Sequence, residues 1–415
     1  MKSRFPIHIF VSIALLLALA PSAFSAESAT KPKVRAITAF IHIDRDHFQT
    51  QISDALAVLR QAKAAIEQGG YGVESVRITT QPFPDYTRAL SKSAALEFLR
   101  RLDELAAKEN FALNIGPAML QETSDAGAAD LLAEFLANSK ATNASIVIAG
   151  SDGIHRNNLR AAARLIKAVA DKSPHSQGNF NFAATAMLQP FAPFYPGSYH
   201  TGAGKQFAIG LESANVVTDT FSSGLESEVA VQRLTRALTT HLRAIENIAG
   251  RVQSQTSWSY LGIDTTPVPL KEVSIGAAIE KLTGGKFGAS GTMTAAAVIT
   301  KAVQAVPVKR VGYSGLMLPV LEDSLLAQRW AEGTYNIDSV LAYSAVCGTG
   351  LDTIPLPGDI SEQQIQKILE DVASLAVKWG KPLTARLLPV AGKKAGDRTE
   401  FDDPYLVNTT IRSVP

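Results

Sequence analysis

Short β-rich apolar runs alternate with longer runs whose apolar residues recur every three or four positions. Val34 to Ile43 reads as a strand, and Asp46 to Ile66 follows as a helix with Phe48, Ile52, Leu56, Leu59, Ala62 and Ile66 on one face, ended by Gly69-Gly70. Val73 to Thr79 predicts a strand and Ser91 to Ala107 a helix. Phe111 to Ile115, Asp125 to Asn138, Ala144 to Ala149 and His155 to Ala170 continue the alternation. This order predicts parallel strands with helices outside them.

Ser173 to Thr220 breaks the rhythm with Gly, Pro and aromatics and few charges, which predicts a long loop forming a site wall or lid. A helix (Glu226 to Ala249) and a strand (Ser257 to Ile263) follow, then helices near Ser274 to Leu282 and Thr292 to Ala305. Val308 to Pro319 reads as a strand and turn, before helices at Glu322 to Ala331 and Asn336 to Val346. A capped helix, Ser361 to Trp379, and a strand, Leu383 to Val390, close the pattern.

Composition changes the picture at the N-terminus. Lys2 and Arg4 precede the apolar run Ile9 to Ala20, and Ala23 and Ser25 have small-x-small spacing, so residues 1–25 predict a signal peptide cut near Ser25 or Ala26. Residues 26–33 are expected as a disordered lead and 34–415 as one domain in an exported, periplasmic or secreted protein. No later run is long and apolar enough for membrane insertion. Removing Lys2 and Arg4 leaves 38 basic against 38 acidic residues, which argues against nucleic acid as a partner. With one cysteine the chain forms no internal disulfide, so stability rests on a core drawn from the 46% hydrophobic residues.

Four stretches, Phe287 to Thr292, Gly312 to Asp323, Tyr343 to Asp359 and Lys381 to Asp397, together with Asn179 to Phe182, Pro193 to His200 and Phe207 to Glu212, resemble the domain of unknown function 711 family, also called uncharacterised protein family 0210. The resemblance implies an α/β fold: one large barrel-like domain similar to the ten-stranded glycyl-radical-enzyme barrel, with a loop in its centre that presents a cysteine. Cys347 matches that cysteine. Radical chemistry itself is not expected, because Arg310-Val-Gly-Tyr313 lacks the residue that spaces the radical glycine motif and lies mid-chain.

Candidate chemistry centres on Cys347, where a helix-like run meets Gly348, Thr349 and Gly350. Those glycines let the backbone turn and bring N–H groups to a ligand, with Pro355 and Pro357 stiffening the exit; the same cysteine also suits a buried helix end. A nucleophilic thiol needs a base or cation nearby, and His200 or a lysine is the candidate. Asp264, after an apolar strand, is a proton carrier or a turn cap. Glu212, twelve residues beyond His200, and Asp352 are candidate ligand contacts, but their spacing assigns no metal. Arg386, set among apolar strand residues, and Lys393, flanked by Gly392 and Gly396, suit an anion, Arg386 with an acidic partner besides.

The resulting expectation is an exported enzyme acting on a small polar or anionic metabolite by acid/base or thiol chemistry inside the barrel, with Cys347, Asp264 and His200 catalytic. The alternative is a non-catalytic periplasmic small-molecule binder, to which the aromatic segment Phe191 to Tyr199 is suited. A structural member of an assembly is a third reading. Cofactor and oligomeric state, homo-oligomer included, are left open.

Overall fold

A computed structural model describes residues 30–414. The signal-peptide segment lies outside the described residues. Lys33 already belongs to the first strand, and Asn215 donates to the carbonyls of Thr30 and Lys31, so residues 30–33 of the expected disordered lead are tied to the domain.

Ten strands form one sheet: β1 (Lys33–Ile41), β2 (Val76–Thr80), β3 (Ala112–Pro117), β4 (Thr142–Gly150), β5 (Gly153–Ile154), β6 (Phe182–Ala186), β7 (Gly204–Glu212), β8 (Ser259–Val268), β9 (Gly350–Pro357) and β10 (Leu383–Val390). Their order is β8-β7-β1-β2-β3-β4-β6-β10-β9, with the short β5 beside β4. The expected parallel pairing holds within two groups. β1, β2, β3, β4 and β6 run one way, whereas β7 with β8 and β9 with β10 run the other, meeting the first group antiparallel at β1/β7 and β6/β10. The reversal follows from the connection between β6 and β7, a loop with no crossover helix to return the chain in the same direction.

The ladder is not closed, because β8 and β9 do not pair with each other. Residues 308–322 span the opening. Ile263 in β8 bridges Arg310, and Asp352 in β9 bridges Pro319. The strand expected at Val308 to Pro319 is therefore reduced to two isolated contacts, and Gly312 in the left-handed region bends the chain between them.

Helices cover the outer face. The helix Phe48–Gln68 buries Phe48, Ile52, Leu56, Leu59, Ala62 and Ile66, the stripe its period predicts. Ser361 and Gln364 form a capping box that starts Glu362–Trp379. These stripes join Ile37, Ile78, Leu113, Ile146, Ile209 and Leu387 of the sheet in one apolar core.

The inner face differs. Thr38, Arg77, Thr79, Asn114, Asn143, Thr384 and Arg386 alternate with the core-facing residues, so each strand turns a polar row inward. The loop 187–203 fills much of that interior. Thr38 donates to the Pro193 carbonyl at 2.8 Å, Asn114 to the Pro196 carbonyl at 2.7 Å, and Thr79 to the Tyr195 hydroxyl at 3.1 Å. Leu188, Ala192, Phe194, Val268 and Tyr313 make a small inner apolar cluster, and the C-terminal segment packs Phe401, Leu406 and Ile411 on Leu388 and Val390.

Candidate functional site

Between the inner loop and the C-terminal segment lies a cavity of about 250 Å³. Arg35 of β1, Arg77 of β2, Asn143 of β4, Asp352 of β9, and Thr384 and Arg386 of β10 reach it, with Tyr195, Tyr313, Glu322, Asp403 and Tyr405 from the connecting segments.

A chain of alternating charges runs through its wall. Arg35 Nη1 lies 2.6 Å from Glu74 Oε2 and 3.2 Å from Glu212 Oε2, and its Nη2 lies 3.8 Å from Glu322. Glu322 also pairs with Arg386, whose Nε donates to Asp352 Oδ1 at 2.5 Å. The chain joins β7 and β1 to β10 and β9, the two sides between which the ladder is open. Burial opposes the Arg386 charge, but Asp352 and Glu322 outweigh it and hold the guanidinium above its ordinary pKa. Burial pushes the Glu322 carboxyl up against the pull of Arg386. Burial and the neighbouring Glu74 raise Glu212 to about 7.

Arg77 stands apart. It lies over the Tyr195 ring at 5.0 Å, and its Nε donates to Ser75 Oγ at 3.1 Å. Among the described residues no carboxylate pairs with it. Burial, and then repulsion from Arg35, lower its pKa to about 10.

The structure gathers some of the expected site residues and separates others. Thr349, Asp352 and Arg386 line the cavity, and Glu212 joins it through Arg35. Arg386 has the acidic partners its setting predicted. Gly348 and Gly350 have positive φ and shape the entry to Thr349, whose hydroxyl donates to the Leu316 carbonyl at 2.6 Å. The expected exit loop is strand β9, and its Pro355 and Pro357 are tolerated because β9 ends the ladder.

Cys347 is 2% exposed and packs in the outer core rather than on the cavity wall. Burial raises its thiol pKa against the opposing Thr349 N–H and Lys381 charge. Asp264 lies within β8, which runs on to Val268 instead of ending at Ile263. Its carboxylate accepts from Tyr313 N at 2.7 Å, Ser314 N at 2.9 Å, and Thr266 N and Oγ1 at 3.1 and 2.6 Å, so it anchors the segment that spans the sheet opening. Buried His200 holds the Ile41 carbonyl through Nε2 beside Phe191, and burial lowers its pKa. Lys393 faces Glu400 at 3.0 Å, away from the cavity.

Sequence reasoning missed Arg35, Arg77, Tyr195, Tyr313 and Asp403 as site residues. A signal existed for the arginines: Arg35, Arg77 and Arg386 each interrupt an apolar strand, which a sheet buried on both faces would not accept.

A family model described as "Uncharacterised ACR (DUF711)" matches residues 28–402. A UPF0210 protein of Pyrobaculum arsenaticum is 32% identical over 354 residues, 81% of this chain and 78% of that protein. UPF0210 proteins of Acetivibrio thermocellus and Listeria monocytogenes are 27% and 25% identical, over 86% and 85% of this chain and 83% and 82% of theirs. With matches of this extent at both levels, the chain belongs to the DUF711 family, whose curated members here bear the name UPF0210 protein.

Proposed function

We propose that this protein is an exported enzyme that binds a small polar anion in the interior cavity and acts on it by acid/base chemistry. The observation carrying the reading is Arg77, a guanidinium on the cavity wall with no carboxylate partner among the described residues and a second cation, Arg35, beside it. An anion entering there relieves the repulsion and takes up the terminal N–H groups. Glu322 is the candidate proton carrier: it reaches the cavity, and burial favours its neutral form while two guanidinium groups favour its charge. Carboxyls and phenols lie on this wall and the only thiol does not, which favours the acid/base branch over the thiol one.

The test is native mass spectrometry for a retained anion, then calorimetry and turnover assays on Arg77→Met and Glu322→Gln. Arg77→Met is expected to weaken anion binding by about tenfold or more. Glu322→Gln should retain binding within a few-fold and lose turnover by roughly 10²–10⁴-fold. Unchanged anion binding in Arg77→Met would remove the reading, and binding without turnover in the unmodified protein would turn it into a solute binder. Export rests on the pattern of residues 2–26, and recovery of chains beginning near Ala26 from the exported fraction checks it.

A further inference from the structure

We propose that the ligand is a small zwitterion, an amino-acid-like compound with a carboxylate at one end and an ammonium group at the other. This rests on the cavity being the binding site and on which charges remain after the wall has paired its own. Arg35 and Arg386 are each held by two or three carboxylates, and Glu74, Glu212, Glu322 and Asp352 are all used in that pairing. Of the charged groups lining the cavity that are left over among the described residues, Lys140 is exposed, and the other two are half-buried and have opposite sign.

The first is Arg77. Its guanidinium carbon lies 5.0 Å from the Tyr195 ring centre and its Nε donates to Ser75, which leaves the terminal N–H groups to fork a carboxylate, with the exposed Lys140 on the same cavity wall. The second is Asp403, half-buried in the C-terminal segment. It accepts the backbone N–H of Tyr405 at 2.8 Å and forms no ion pair among the described residues. The two do not neutralise each other. Arg35 is the charged group acting most on Arg77, whereas Asp402 and then Arg386 and Lys271 act on Asp403. Arg77 belongs to the five-strand side of the sheet, and Asp403 to the segment packed on β10.

A ligand with only a carboxylate satisfies Arg77 and leaves Asp403 partly desolvated and unpaired. A dicarboxylate sets its second charge near Asp403, Glu322 and Asp352, where like charges repel. An ammonium group there gains Asp403 as its partner. The volume, about 250 Å³, lies below the roughly 300–1,000 Å³ of pockets for drug-sized ligands, so the compound is of single-metabolite size. Asp403 lies one residue past the range that the family model matches.

Calorimetry on the purified full chain tests this with α-amino acids and the ω-amino acids from β-alanine to 6-aminohexanoate, each beside the monocarboxylate and dicarboxylate of equal length. At least one zwitterion is expected to bind about tenfold or more tightly than both of its counterparts. Asp403→Asn keeps an oxygen acceptor for the Tyr405 N–H. It should lower the zwitterion to the level of the monocarboxylate, and leave the monocarboxylate unchanged or tighter. Arg77→Met should weaken all three. Carboxylates that bind through Arg77 as well as the zwitterions do would overturn the inference and leave the anion site standing. No binding by any compound in the panel would overturn both.

Discussion

Asp264 accepts four hydrogen bonds where solvent does not reach, and a carboxylate so enclosed positions backbone. Its sequence context, an acid among β-rich residues, does not distinguish that role from proton transfer, because its partners Tyr313 and Ser314 arrive from about fifty residues away. Cys347 poses the same problem. The turn glycines are visible in the sequence, but the neighbours of the Cys347 backbone come from remote segments: Thr300 donates to its carbonyl at 3.4 Å, and a Cβ at Gly315 would collide with it. With its thiol held up by burial, Cys347 should react with an aromatic disulfide reagent at neutral pH only at the rate of global unfolding. Cys347→Ala should cost about 1–3 kcal/mol in urea unfolding and leave anion binding unchanged. Fast modification of native protein, with loss of binding, would return the cysteine to the site.

β9 and β10 carry Asp352 and Arg386, so their register sets the spacing of the charge chain. The register starts at Gly350, which has φ +92° and stands so close to the Thr384 backbone that a Cβ there would collide with the carbonyl. Gly350→Ala therefore meets both a strained backbone conformation and an obstructed neighbour. It is expected to lower stability by roughly 2–4 kcal/mol by urea titration, and to weaken anion binding as Thr384 and Arg386 shift. An unchanged urea midpoint would show that the strands can adjust. The strands were legible as elements because their outer rows are apolar. Their polar inner rows left a signal at Arg35, Arg77 and Arg386, of which only Arg386 was read as a site residue, because a single strand does not reveal what fills the face it turns inward.

At the scale of the whole molecule, the charge chain couples stability to pH. Glu212 is raised to about 7 by burial and by Glu74, so in this range the folded state holds a proton that the unfolded chain releases near the ordinary carboxylate value of 4.5. The contribution of Glu212 is thus full below about 4.5 and declines as pH rises through about 7. Glu212→Gln mimics the protonated form, keeping a donor toward Glu74 and an acceptor for Arg35. It should match the unmodified protein near pH 4.5 and exceed it at pH 8 by on the order of 1–3 kcal/mol, since each pKa unit is worth about 1.4 kcal/mol and coupling to Glu74 reduces the sum. Thermal melts across that range check the sign. A variant less stable at pH 8 than at pH 5, relative to the unmodified protein, would show that the carboxylate form is the one the fold favours.

The α/β class, most helices with their buried stripes, and the polar interruptions in the strands were readable along the chain, because these depend on the period and spacing of neighbouring residues. The sequence also contained the acidic requirement of Arg386, since a guanidinium in an apolar strand needs a counter-charge. The remainder emerges on folding. The antiparallel seams arise where β6 reaches β7 without a crossover helix, and the cavity joins residues from Arg35 to Asp403, nearly the whole described chain apart. Which of those charges pair and which remain unpaired is a sum over distances, and distances between remote residues are properties of the folded chain.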